Sequence, residues 1–199
     1  MTPVKQPSIP FWLPVLWIGA TLALLPGMPL VTLAGYHAIC LLGTERSDFR
    51  AGRMPIVALL GMGAACAVLP LLLHQRPAHL LPMAGAQTFL AHWPGGFPSY
   101  VAYTLTVNSV CEEGFWRGAL ARRHADWKDW QHGSAFGLHH FVGNGLVFGW
   151  ASALPAFLYT AAAGWTGMKV SRRCGGLGLV ILAHSALNAL SFAWLATRL

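Results

Sequence analysis

Charge is what this sequence has least of. Only 10% of its 199 residues are Asp, Glu, Lys or Arg, and just six are acidic, whereas a soluble domain averages about 25% charged residues. That is too little to cover a globule of this size, so most of the surface must face something apolar. Cysteine is also sparse. Cys40, Cys66, Cys111 and Cys174 have neither metal-site spacing nor a disulfide-rich context. Three of them lie in or beside apolar runs, where a free thiol behaves as a small hydrophobe. No repeat, linker or low-complexity tract divides the chain, so residues 1–199 read as a single membrane domain. The start lacks the features of a cleavable signal: Lys5 is a thin basic region, Pro10 and Pro14 interrupt it, and no small-x-small site follows. The first apolar stretch therefore reads as a retained anchor.

What is there is hydrophobic and helical in pattern. Apolar residues make up 55% of the chain and mean hydropathy is +0.52. A helix needs about 20 apolar residues to cross the hydrocarbon of a bilayer. The runs of suitable character are Ile9–Gly43, Met54–Leu73, Leu80–Trp93, Phe97–Leu120, Gly133–Phe148, Ala151–Lys169 and Gly176–Ala196. The first is long for one span and short for two. Its centre, Pro26-Gly27-Met28-Pro29, predicts either a kinked helix or a tight hairpin. The third is short and reads as re-entrant or interfacial. The expected fold is an all-α, polytopic transmembrane bundle of six or seven helices, with residues 1–96 as scaffold and 97–199 as a four-helix catalytic core.

The net charge of +7 does not point to nucleic acid. Its basic residues fall in short clusters between the apolar runs, as in a positive-inside membrane protein. Loops 44–53, 117–130 and 169–173 hold three, four and three Lys/Arg, ten of the thirteen. Those loops are expected in the cytoplasm, and the lipid bilayer is the first expected partner.

Against this background a few polar residues stand out. Ionisable groups inside a bilayer are costly, rare and usually functional. Cys111-Glu112-Glu113-Gly114-Phe115-Trp116-Arg117 places two of the six acidic residues side by side in an apolar span. On a helix Glu113 and Arg117 share a face and can neutralise each other. Glu112 points about 100° away without a local counter-ion, as suits a general base. The next apolar segment carries His139-His140, and the last carries His184 and Asn188 four residues apart. A lone intramembrane His or Asn is usually an interhelical hydrogen bond. Glu, His, His and Asn on three helices at comparable depth point to one shared cavity. It would hold a base, imidazoles and an amide donor, the parts that activate water and stabilise an oxyanion.

These segments resemble the signature of the CAAX prenyl protease type II and bacteriocin-processing family of intramembrane proteases, written EExxxR, FxxxH and HxxxN. Here the three are Glu112-Glu113 to Arg117, Phe136 to His140, and His184 to Asn188. The resemblance spans about half the chain, residues 97–197. It implies that Glu112 activates the attacking water, that His140 helps hold that water, and that His184 and Asn188 stabilise the oxyanion. It implies a supporting role for Glu113 and Arg117, with Phe136 in the motif and His139 as an extra neighbour. A metal-free glutamate mechanism is favoured, because no HExxH is present and Asn is a poor zinc ligand. Zinc, if bound, would take Glu112, His140 and His184.

The expected substrate is a peptide or a membrane-anchored protein, and the expected location a bacterial inner membrane with the site toward the cytoplasm. Rhomboid-type serine, site-two-type zinc and presenilin-type aspartyl proteolysis all lack their motifs here. Asp48, Asp126 and Asp129, for example, lie in loops. The alternatives from other classes are a proton- or ion-coupled transporter, for which paired broken helices would be expected, and a catalytically silent immunity or scaffold relative.

Overall fold

In a computed structural model, residues 9–53, 55 and 83–197 are described. Among them are seven helices, one short 3₁₀ turn and no strand. Helices α1 (Trp12–Leu24) and α2 (Pro29–Gly43) come from the first apolar run, followed by the 3₁₀ turn Arg46–Phe49. Helix α3 is Met83–Ala91, and α4 is one continuous rod over residues 96–123. Then come α5 (Asp129–Phe148), α6 (Trp150–Cys174) and α7 (Gly178–Ala196). The expected span Met54–Leu73 lies outside the described residues apart from Pro55, and the run Leu80–Trp93 is described from Met83 onward.

The first apolar run folds as a hairpin. Pro29 opens α2 at a position where its missing N–H costs nothing, and α1 and α2 pack on each other. The Trp17 indole donates to the Thr32 carbonyl at 2.9 Å across that interface. Helices α5 and α6 form the second hairpin, joined by Gly149 alone at φ 86°, a conformation that favours glycine. Their backbones approach closely at Gly133, where a Cβ would meet the Ala161 carbonyl oxygen at 2.5 Å.

Helix α4 runs through the middle. Its core face, Cys111, Phe115, Trp116, Ala119 and Leu120, meets Tyr36 and Cys40 of α2, Val15 and Ile18 of α1, and Ala135 and Phe136 of α5. It is not a regular helix. Thr104–Asn108 and Gly114–Ala119 are π-turns, and the α-helical piece between them is Ser109–Glu113. A π-turn leaves carbonyls free of the regular ladder, and such turns concentrate at functional sites. Helix α7 uses two of those carbonyls. The Ser185 hydroxyl donates to Leu105 O at 2.8 Å, and the Asn188 amide reaches Thr104 O at 3.5 Å.

The three basic loops gather at one end. Arg122 bridges Glu45 at 2.9 Å and Asp48 at 2.8 Å, Arg172 meets Asp129 at 3.0 Å, and Arg123 donates to Gly43 O at 2.7 Å. The segment 50–53 lies against 174–178 through three backbone hydrogen bonds: Arg53 N to Cys174 O, Leu177 N to Arg50 O, and Gly178 N to Ala51 O. This approach requires glycine at 176, since a Cβ there would meet Arg50 O at 2.4 Å and Gly52 N at 2.5 Å.

Where the expected spans are described they are helices, but among the described residues none is long and apolar enough to cross a membrane. Helices α1 and α2 have 13 and 15 residues. The longer α5 and α6 are diluted by Asp, Gln, Asn and three His in one and by Lys169, Arg172 and Arg173 in the other.

Candidate active site

Four helices bring their polar residues to one cavity of about 240 Å³. Glu112 on α4, His139 and His140 on α5, and His184 and Asn188 on α7 all line it. Tyr36 on α2 and Asn108, one turn before Glu112, line it as well. The remaining wall is apolar and includes Ile18, Leu22, Phe89, Val147 and Phe192.

Glu112 and Glu113 are 4% and 1% exposed, and they face different partners. Glu113 Oε1 accepts from Arg117 at 2.7 Å and from the His184 Nδ1–H at 2.7 Å. The i,i+4 pair expected from the sequence therefore forms. The Arg117 guanidinium also lies 4.3 Å over the Phe136 ring, a cation–π contact that offsets part of its desolvation. Gly167 of α6 makes room for it, because a Cβ there would come within 2.7 Å of Arg117 Nε.

Glu112 faces imidazoles. His139 Nε2 is 3.3 Å from Oε1, and His184 Nε2 is 3.7 Å from Oε2. Because Nδ1 of His184 is committed to Glu113, its other nitrogen faces Glu112. His140 donates from Nδ1 to the Phe136 carbonyl at 3.3 Å, which leaves Nε2 as its free nitrogen. Asn188 sits 3.4 Å from the Ser109 hydroxyl, so its amide docks α7 on the π-turn while it borders the cavity.

The structure thus brings Glu112, Glu113, Arg117, Phe136, His139, His140, His184 and Asn188 together. It changes the weight of His139. Its ring stacks on Trp116 (5.1 Å, 9°) and on Tyr36 (5.5 Å, 25°), and its centroid is 3.9 Å from that of His140. The nitrogens of His139 and His140 and the carboxylate of Glu112 lie within 4.8 Å of one another. That triple converges as a cation site would, whereas the expected set was Glu112, His140 and His184, of which His184 Nε2 lies 3.7 Å from Glu112 Oε2. Sequence reasoning missed Tyr36, Asn108 and His37. The last bonds to Tyr103 Oη at 2.6 Å and to Asn108 Oδ1 at 3.0 Å. The available signal was a histidine inside the apolar run of α2.

The profile of the type II CAAX prenyl endopeptidase Rce1-like family matches residues 93–190, the stretch that carries all three motifs. Over this half the chain belongs to the CAAX protease family. No curated protein and no solved structure matches it. The family gives a protease-type function in general, and a peptide or prenylated protein as the general kind of substrate. Helices α4, α5, α6 and most of α7 fall inside the match, and α1 to α3 precede it, so the hairpin that carries Tyr36 and His37 lies outside.

Proposed function

We propose that this protein is an intramembrane endopeptidase in which Glu112 activates the attacking water. The observation that carries the reading is a buried carboxylate facing two histidines across a cavity with a polar floor and apolar walls. Glu112 takes a proton from water as the oxygen attacks the scissile carbonyl carbon. The oxyanion, where charge develops, accepts hydrogen bonds from the Asn188 amide and from Nε2–H of His184 as an imidazolium, whose Nδ1–H stays on Glu113. Collapse breaks the C–N bond, and the proton held on Glu112 passes to the leaving amine, so the carboxylate returns to its starting state. Glu113 and Arg117 hold His184 in place and do not react. His140 helps hold the water, and His139 steadies Glu112 from the side. A divalent cation is the competing way to activate that water. Glu112, His139 and His140 would hold it, and it would supply a Lewis acid and a more acidic bound water.

A bilayer setting is supported by an inverted pattern of burial. Leu24, Leu42, Leu154 and Leu158 stand exposed while Glu112, Glu113, Arg117 and His139 are buried. In lipid, ionisable residues turn to the bundle interior. The chain is read as one membrane domain of a bacterial inner membrane, a catalytic half after a scaffold half, with the basic end and the motifs toward the cytoplasm. The test is cleavage of a quenched fluorescent peptide by protein reconstituted in vesicles. Glu112→Gln should lower kcat by about 10²–10⁴-fold, the usual contribution of a general base. Cleavage at the wild-type rate in that variant would overturn the mechanism.

A further inference from the structure

Tyr36 is completely buried, at 0% exposure, and belongs to the hairpin that the family match leaves uncovered. Its hydroxyl oxygen accepts the Trp116 indole N–H at 2.9 Å. Indole is a donor only, so this bond uses the oxygen and leaves the phenolic proton to be placed. A buried O–H without an acceptor is costly. Two acceptors neighbour it: the Glu112 carboxylate, which lines the same cavity, and the Cys40 sulfur one turn along α2, in the same buried cluster. Neutral sulfur accepts weakly, whereas a carboxylate forms short, strong bonds. Glu112 Oε2 has acceptor capacity to spare, since it has no hydrogen-bond partner of normal geometry. The aromatic stack fixes the direction. Trp116 and Tyr36 both stack on His139, and His139 Nε2 approaches the other oxygen of Glu112.

We propose that Tyr36 is a positioning residue of the active site: its hydroxyl, pinned by the Trp116 indole, donates to the Glu112 carboxylate and holds it facing the cavity. With His139 on one oxygen and Tyr36 on the other, the carboxylate cannot rotate away from its water. The scaffold half of the chain then supplies part of the catalytic geometry. The catalytic consequence rests on the reading of Glu112 as the base.

Tyr36→Phe removes the hydroxyl and keeps the stacked ring. In the reconstituted protein, with the quenched fluorescent peptide, it should lower kcat by roughly 10–100-fold, as loss of a hydrogen bond to a charged group does, and leave KM unchanged. Trp116→Phe, which frees the hydroxyl, should give a smaller loss, and the double variant should be no slower than Tyr36→Phe alone. The contact is read separately by the infrared carboxylate band assigned by difference against Glu112→Gln, which should shift in Tyr36→Phe. An unshifted band overturns the proposal whatever the activity. A shifted band with unchanged kcat overturns the positioning role. A band that shifts in Tyr36→Phe while the wild-type protein itself cleaves nothing supports the contact and overturns the reading of Glu112 as a base.

Discussion

Glu112 and Glu113 are neighbours in sequence but opposites in partnership. Glu113 is bound at 2.7 Å by both Arg117 and His184, whereas among the described residues no Lys or Arg pairs with Glu112, whose shorter imidazole distance is 3.3 Å, to His139. One carboxylate is consumed in holding the structure, and its neighbour is left free for chemistry.

From this division follows a contrast between two arginines. Arg117→Ala leaves Glu113 buried and short of its guanidinium, and breaking a buried pair from one side costs about 3–5 kcal/mol. Arg122, 39% exposed on Glu45 and Asp48, should cost only about 0.2–1 kcal/mol when changed to Ala. Thermal unfolding in detergent separates the two. Equal losses would mean that Glu113 does not depend on Arg117.

A second prediction concerns acid. His132 precedes the apolar stretch Gly133–Phe148, at the basic end. Burial, and then nearby Arg172, push its ring below the usual histidine range, against opposing contributions from Asp129 and the His124 backbone. The folded protein keeps it neutral while the unfolded chain takes up a proton near pH 6.5. The unfolded state therefore binds more protons below that pH, and stability falls as pH drops through about 6.5. His132→Phe should flatten the fall in Tm between pH 7 and 5.5. An unchanged slope would show that other groups cause it.

The contact between 50–53 and 174–178 is testable through one methyl group. Gly176→Ala would place a Cβ 2.4 Å from Arg50 O. Because backbone cannot yield as a side-chain tip can, the expected cost is about 1–3 kcal/mol, with faster proteolysis in segment 50–53. Wild-type resistance to trypsin there would show that the two segments part without consequence.

The metal question is answered by composition and by ligand choice. The purified protein should hold far less than one zinc per chain and should keep cutting in a chelator. If zinc is instead stoichiometric and leaves together with activity, the geometry names its holders. His139→Ala should then lose the metal and His184→Ala should retain it.

How much of this was legible in the sequence depends on range. The Glu113–Arg117 pair follows from a spacing of four on a helix, and it forms as that spacing requires. The gathering of the three basic loops is carried by Arg122 and Arg172, whose acidic partners Glu45, Asp48 and Asp129 sit in the same loops. Three things were out of reach because tertiary packing decides them. Adjacent residues on a helix leave it about 100° apart, yet His139 and His140 both line the cavity, His139 stacked on the Trp116 and Tyr36 rings. The first π-turn of α4, 104–108, takes hydrogen-bond partners from α7, which no local pattern announces. Tyr36 reads as one more apolar residue until Trp116 is placed beside it.

The interruptions of α4 have a consequence for how this protein can vary. Each π-turn is an α-turn with one residue to spare, so deleting a residue from 104–108 would restore a regular ladder and, by itself, favour the helix. The same deletion would keep Glu112 in register with the preceding segment but return the freed carbonyls to the ladder, and with them the seats of Ser185 and Asn188 of α7 on Leu105 O and Thr104 O. Straightening the rod and keeping the reaction are thus opposed. A deletion in this segment would make α4 more regular while unseating α7, and with it His184 and Asn188.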